Sequence, residues 1–353
     1  MTQRWYAGLM SGTSFDGVDV ALLKTDGRSV EAFGPSETTP LSGSLRKALS
    51  EVMGQPTAPP DVVEAVTEAH IAALEAYFAR HGRPDDLAAI GFHGQTIFHR
   101  PAEALTVQIG DGARIARRFD VPVVEQVRRA DVAAGGQGAP IAPIFHLALL
   151  RNGPLPAAFV NIGGVSNVTW TDGEELVAFD SGVGNARLDD WMRRRVGLDF
   201  DPHGRFGEAG RVHEPIVDEA LRHPFYEVPP PKSLDRDELT VDGIEGLSTE
   251  DGAATLAAIT AEAIARSARF LPLEPTRWII AGGGRHNRAI MNRLRQSLKG
   301  AVTTAEDANY DGDGVEAQMM AYLAARSLAG LPISFPGTTG VPSPMTGGEL
   351  RLP

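Results

Sequence analysis

Two stretches decide how this sequence reads: GLMSGTSFDGVD at residues 8–19 and NIGGVSNVT at residues 161–169. In each, an apolar β-forming run stops at glycines and small polar residues, then resumes as a second run. That is a hairpin signature. The two turns stand nearly half a chain apart in a sequence of 353 residues. A supersecondary unit repeated at that spacing implies two related halves. The length itself already exceeds what one hydrophobic core usually covers.

Working outward, the first hairpin's strands are 4–10 and 17–24. Helices are expected over 42–53 and 61–80, the second N-capped by Asp61 and closed by His81-Gly82. Strands at 87–94, 105–112 and 121–127 follow, with a helix over 113–119. A glycine-rich break, AAGGQGAP (133–140), precedes a helix over 141–151. The second half reads as strands 157–164, 165–171 and 176–185, then a helix over 188–197. Residues 198–250 have weak periodicity, and YEVPPPKSLDR (226–236) reads as an ordered loop or lid. Helices over 252–271, 288–298 and 315–330 complete the pattern, with strands in TRWIIAGGGRHN (276–287) and AVTTAEDAN (301–309). This alternation predicts an α/β class with mixed sheets. Domains are expected at 1–133 and 134–331, with the Pro- and Gly-rich tail 332–353 packing back on the first.

Composition narrows the chemistry. With no cysteine there is no thiolate nucleophile, disulfide framework or cysteine-ligated metal. A net charge of −12 speaks against nucleic-acid binding, which needs clustered cations. No apolar run approaches a membrane span, and the N-terminal residues lack signal-peptide character, so a cytoplasmic protein without a membrane partner is expected. The residues leave open whether the chain pairs as a homodimer.

Glycine is above average in number, at 39, and gathered into knots. In the first hairpin, Gly12, Thr13, Ser14 and Gly17 bring backbone amides and hydroxyls into a small arc, an anion-binding nest or a plain surface turn. Asp16 and Asp19 can reach a Mg²⁺ through water. Gly163, Gly164 and Ser166 repeat the design. Asp180, in AFDSGVGN (178–185), ends an apolar strand, where a carboxylate serves as a general base or as an Asx-turn. Gly282, Gly283 and Gly284, with Asn287 beyond, form a strand–turn–helix that lets a nucleotide approach the backbone. Neither the Gly-x4-Gly-Lys-Ser/Thr P-loop nor the GxGxxG fingerprint is present. Arg128, Asp131 and Gln137 surround a flexible turn suited to a polar or anionic small molecule or to a hinge. His93 reads as a loop or core histidine, and Glu316, opening the last helix, as a helix-dipole partner.

Taken together, the motifs resemble one family. GLMSGTSFDGVDVALL, HGQTIFHRP, LTVQIGD, DVAAGGQGAPIAP, NIGGVSNVT, FDSGVGN, PKS, AGGGRHN and DGVEAQMMAYLA occur in the order of anhydro-N-acetylmuramic acid kinases, sugar kinases of the actin-like ATPase superfamily. The resemblance implies two ribonuclease H-like domains, each a mixed five-stranded sheet flanked by helices, with ATP and Mg²⁺ in the cleft between them. It implies phosphorylation of 1,6-anhydro-N-acetylmuramic acid at its 6-oxygen with hydrolytic opening of the anhydro ring, a step of peptidoglycan recycling. Gly12 through Asp19 match the first phosphate loop, Gly163, Gly164 and Ser166 the second, and Gly282 to Gly284 the adenosine motif. Asp180 matches the catalytic base and Glu316 a sugar-positioning carboxylate; Arg128 falls where the family has an arginine, and Gln137 is taken with them as a sugar contact. Phe15 stands where the family usually has leucine, Ser181 and Val183 where it has threonine and proline, and Gln126-Val127 where it has Asp-Phe. Alternatives are an actin-like kinase for another hexose or amino sugar and an actin-like scaffold that uses ATP as a switch.

Overall fold

The computed structural model describes residues 2–235 and 238–353. In chain order the strands and helices are β1 (Arg4–Ser11), β2 (Gly17–Thr25), β3 (Val30–Pro40), α1 (Gly43–Val52), α2 (Pro60–His81), β4 (Leu87–Arg100), β5 (Leu105–Ile109), α3 (Gly112–Phe119), β6 (Val123–Glu125), α4 (Arg129–Ala133) and α5 (Pro143–Leu150). There follow β7 (Ala157–Ile162), β8 (Val165–Thr171), β9 (Leu176–Val183), α6 (Ala186–Val196), α7 (Arg205–Ala209), α8 (Glu214–Ala220), α9 (Thr249–Ser267), β10 (Arg277–Ala281), α10 (Arg288–Ser297) and β11 (Ala301–Thr304). The chain ends with α11 (Val315–Leu328), α12 (Pro336–Thr339) and β12 (Glu349–Arg351).

Two sheets form, and they share a plan. In the first, β1, β2 and β3 make an antiparallel meander, β4 lies parallel to β1 and β6 parallel to β4. In the second, β7, β8 and β9 make the meander, with β10 parallel to β7 and β11 parallel to β10. Numbered within each half, both run 3-2-1-4-5, the ribonuclease H-like order. The repeat of the hairpins in the sequence is thus a repeat of whole sheets. The first sheet has seven strands rather than the expected five. β5 pairs antiparallel with the far end of the long β4, and β12 pairs antiparallel with β6.

The chain divides into two compact units, one running to Leu149 and resuming at Gly314–Pro353, the other Leu150–Asp313. The sequence reading drew the division at 133 and assigned 315–330 to the second half; in the structure α11 belongs to the first unit. Its reason lies in two glycines. A Cβ on Gly8 would stand 1.8 Å from the Ala317 carbonyl oxygen, and one on Gly91 2.0 Å from that of Met320. Only strands bare at these points let α11 lie against β1 and β4, where Ala317, Ala321 and Leu323 are fully buried. The opposite face of the sheet carries α1, α2 and α3 over a core of Leu9, Val20, Leu49, Leu74, Ile90 and Ile115. In the second unit α9 is buried nearly all round. Its Ala257, Ala261 and Ile264 meet the sheet side of the core with Trp170 and Trp278. Its Ala253, Leu256 and Ile259 meet a separate cluster built on Trp191, Phe225 and Tyr226. Such all-round burial is what a helix rich in alanine and lacking a charged face can accept.

Alanine at Gly8 should destabilise the first unit by about 1–3 kcal/mol, because the backbone it meets cannot rotate away as a side chain would. Urea denaturation of Gly8→Ala beside the parent chain measures this. An unchanged midpoint and slope would show that α11 can lift without loss.

Candidate active site

In the second unit, three strand ends converge. The β7–β8 turn at Gly163-Gly164 is tied to the end of β9: Asn185 N–H donates to the Gly163 carbonyl at 2.7 Å, and Gly184 N–H to that of Gly164 at 3.0 Å. In a trans peptide the next N–H points opposite to the carbonyl. With the Gly163 carbonyl drawn inward, the Gly164 N–H faces out, as an anion nest requires. Ser166, read as a phosphate contact, has a fully buried side chain. Its hydroxyl pairs with the Ser181 hydroxyl at 2.8 Å and with the Gly182 and Val183 carbonyls. It therefore pins a bulge in the β8–β9 ladder between Ser166 and Asn167. Bulges re-aim neighbouring side chains, and the residue beside this one is Asp180.

The Asp180 carboxylate accepts the Leu234 N–H at 2.8 Å, and the Asp180 N–H donates to the Lys232 carbonyl at 3.1 Å. Burial pushes its pKa up to about 6; the Leu234 amide and the Lys232 ammonium pull it down, and Asp235 adds a small push upward. An Asx-turn would aim the carboxylate at its own following amides; this one reaches 54 residues along the chain.

The triple-glycine turn follows β10. Gly282 has φ +73°, and a Cβ there would fall 2.4 Å from Asn161 Oδ1. Arg285, its guanidinium almost wholly buried, donates to the Gly282 carbonyl at 2.9 Å and pairs with Glu306 and Asp313 at 2.8 Å each. Asn287, read as a nucleotide contact, caps α10 by accepting the Ile290 N–H. Next to this turn lies a cavity of about 500 Å³, lined by Asn185, Asp189, Phe200, His203, Gly283 and Asn287 among others. Phe200, 58% exposed, presents its ring there; the sequence reading left that residue in a stretch without a clear pattern. The lid reading of 226–236 ends on Arg236, outside the described residues.

The first unit carries its own polar groups. In the turn from Gly12 to Asp19, Thr13, Ser14 and Asp16 are exposed while Gly17 is buried. Phe15 adopts φ 59° and sends its ring into the core. Gln95 braces the turn, accepting from the Ser11 hydroxyl and donating to the Gly12 carbonyl. Asp19 Oδ1 accepts from Thr38 at 2.5 Å.

Arg128 donates from Nε to His93 Nε2 at 3.0 Å and from a terminal nitrogen to the Gly138 carbonyl at 2.7 Å. Arginine has no acceptor, so His93 carries its proton on Nδ1, which donates to the Gly94 carbonyl at 2.8 Å. Burial, then Arg128, hold the His93 pKa down to about 3, so it is neutral. Burial lowers that of Arg128 to about 10, against the pull of Glu316 and Asp131, leaving a cation at neutral pH. The Glu316 pKa is raised, first by desolvation and then by Asp19, with Arg128 opposing. Asp131 takes a structural part. Its carboxylate accepts the Gly138 N–H at 2.6 Å and the Thr339 hydroxyl at 2.5 Å, and the Gln137 N–H donates to the Thr339 carbonyl. The start of the C-terminal tail thereby fixes the loop that carries Gln137.

Two sheets of ribonuclease H-like order, each with a glycine turn at its first hairpin, and a desolvated carboxylate on β9 are the features the two units present. The family model for anhydro-N-acetylmuramic acid kinase matches residues 4–351. A relative of that name from Nitrobacter winogradskyi is 50% identical over 98% of this chain and 99% of its own, and one from Rhodopseudomonas palustris is 50% identical over the same shares. Another, from Rhodospirillum rubrum, is 46% identical over 98% of this chain and 93% of its own. The chain belongs to the anhydro-N-acetylmuramic acid kinase family.

The Asp180 environment makes a stability prediction. Its folded pKa lies above the ordinary aspartate value of 3.8, so ionisation opposes folding, and stability is lost as pH rises from about 4 to 6. Asp180→Asn should melt higher than the parent at pH 8, with the gap closing toward pH 4. Calorimetry across that range checks it.

Proposed function

We propose that Asp180 is the base that activates water in the ring-opening phosphorylation of 1,6-anhydro-N-acetylmuramic acid. The observation that carries this is the desolvated carboxylate on β9, oriented by the amide of Leu234. A base with a pKa near 6 is ionised at neutral pH yet more basic than an ordinary aspartate. Water loses a proton to Asp180 as its oxygen bonds the anomeric carbon. The bond from that carbon to the 6-oxygen breaks, and the 6-oxygen takes the γ-phosphoryl group as the bond to the departing ADP oxygen breaks. Asp180 returns its proton to solvent. The leaving oxygen is captured by phosphorus, so no second carboxyl is needed to protonate it, unlike the pair glycosidases employ.

Within the second unit, the Gly164 amide supports a phosphate role for the β7–β8 turn, with its neighbour Gly163. The cavity beside Gly283 supports seating the adenosine there, with Gly282, Gly284 and Asn287 shaping its wall. In the first unit, Gly12, Thr13, Ser14 and Gly17 form the other phosphate turn. Arg128, Gln137 and Glu316 take the sugar, the arginine facing its carboxylate. Among the described residues no three His, Asp or Glu side chains gather as a metal cluster. A Mg²⁺ would arrive on ATP and keep its waters, with Asp16, aided by Asp19, as an outer contact. The ion would neutralise phosphate charge. Among the described residues no helix is long and apolar enough to cross a membrane, and ATP use favours a cytoplasmic setting.

Asp180→Asn should lower turnover about 10²–10⁴-fold, the usual worth of a positioned base, while ATP binding by calorimetry stays intact. The parent's kcat/KM for the sugar should fall below an apparent pKa near 6. Mass spectrometry of the product tests the reaction itself: ring opening adds a water as well as a phosphoryl group, whereas a plain hexose kinase adds the phosphoryl group alone. Near-parent turnover in the asparagine variant would sink the base assignment.

Arg128→Lys tests the sugar contacts. Lysine keeps the charge but cannot reproduce the guanidinium's fixed fork. Steady-state kinetics should give a sugar KM raised about 10–100-fold, as for loss of a charged hydrogen bond, with the ATP KM unmoved.

A further inference from the structure

Lys232 belongs to the PKS motif (231–233), to which none of the roles above gives a task. Its ammonium donates to the Phe225 carbonyl at 3.0 Å. It stands 4.4 Å from the centroid of the Phe225 ring, 4.7 Å from that of Phe270 and 5.8 Å from that of Phe179. Three aromatic rings and a carbonyl hold one cation, an arrangement favoured where water is partly excluded. The main chain of the same residue is bonded to the strand that bears the base, through the Asp180 N–H. Two residues further on, Leu234 supplies the amide that meets the Asp180 carboxylate. Phe179, one wall of the clamp, is the residue before Asp180 on β9. Lys232 to Leu234 therefore make a short bracket, anchored at one end by the ammonium and closing at the other on the carboxylate.

The geometry points to Lys232 as a positioning residue for Asp180, holding the Leu234 amide on the carboxylate and setting a positive charge behind it. This rests on the reading of Asp180 as the base. Among the described residues, Asp180 faces Lys232 and Asp235, and Lys232 faces Asp180, Glu227 and Arg269. Arg269 is engaged with Glu227 at 2.8 Å and with the Tyr226 carbonyl. Burial and Arg269 lower the lysine's pKa to about 8, against Glu227 and Asp180, so the cation is present through neutral pH. Removing it takes away one of the two influences that keep the carboxylate ionised and loosens the other.

The test is the pH profile of kcat/KM for the anhydro sugar. Lys232→Met keeps the stem and removes the charge. It should move the acidic limb up by about one pH unit, lower kcat/KM about 10-fold at pH 5 but only about 2-fold at pH 7 with recovery at pH 9, and leave the ATP KM unchanged. Lys232→Arg, which restores a cation among the rings, should hold the limb close to the parent's. A methionine variant with the parent's limb, or one that loses activity equally at every pH, overturns the proposal. Should that variant fail to fold by circular dichroism, Phe270→Leu removes one wall of the clamp and should shift the limb the same way by less; an unmoved limb there also overturns it. Asp180→Asn run alongside separates the two readings. Turnover in that variant defeats the base assignment, whereas its inactivity together with an unshifted Lys232→Met profile defeats the positioning role alone.

Discussion

Asn185 is the point on which the second unit's site depends. Its N–H donates to the Gly163 carbonyl, its side-chain amide donates to the Ile162 carbonyl, and Gly283 and Gly284 pass close to the same side chain. The residue follows β9 by two positions, holds the β7–β8 turn and borders the cavity beside the triple-glycine turn. Strands 1, 3 and 4 of a 3-2-1-4-5 sheet are not all neighbours. Their ends can serve one site only if something beyond the ladder joins them. Here that is a short polar side chain at the start of α6, where the first helical amides lack internal partners. The Ala186 N–H, one of these, donates to the Gly164 carbonyl, so helix, strand and turn are fixed by one set of bonds.

The first unit meets a different constraint. α11 enters after the whole second unit has intervened, yet it must lie on the two central strands β1 and β4. Both are buried on both faces, as parallel strands with helices on either side require. Gly8 and Gly91 thin the sheet where the helix crosses it. The tail then closes the unit from the other edge, with β12 pairing to β6 and Arg351 bonding the Glu125 carboxylate at 2.6 Å. Glu125 in turn accepts the Gly112 N–H that starts α3. The C-terminal residues are thus part of the sheet's edge.

Hairpin turns and central strands were legible because their signals are local: alternating or continuous apolar runs that end at glycine. Strand β3 was not read. Its sequence, VEAFGPSETTP, carries Gly34 and Pro35, and its side chains alternate between partly buried and exposed. An edge strand tolerates such residues because one side of its backbone is unpaired, and the same residues read from sequence as a loop. The division between units was misplaced for a related reason. Nothing near 315–328 says which sheet the helix covers; the answer is written at Gly8 and Gly91, more than two hundred residues away. In the candidate site, Asp180 was picked out as a carboxylate ending an apolar run, and the structure sets it inside β9, three residues before that strand's end. Its partners were not legible, because Leu234 and Lys232 sit in a segment without periodicity. The neutral His93 behind Arg128 was seen only as a loop or core histidine, since its bond to the arginine depends on strand β4 meeting the loop after β6.

The two units handle buried charge in opposite ways, and each way suits its chemistry. On the proposed reading Arg128 holds an anion, and its neighbour is a histidine kept neutral by burial, which accepts a hydrogen bond without competing for the guanidinium's charge. On the same proposed reading Asp180 takes a proton, so a full counter-ion in direct contact would be a disadvantage: a salt bridge would lower its basicity as it oriented it. The structure instead gives the carboxylate the Leu234 amide and sets the cation of Lys232 back among aromatic rings. Burial then raises the pKa while amide and cation limit the rise, and the balance falls near 6. A base stronger than that would be protonated at neutral pH, and a weaker one would have less drive to take a proton from water. The ring clamp keeps the positive charge near enough to be felt and too far away to neutralise the base.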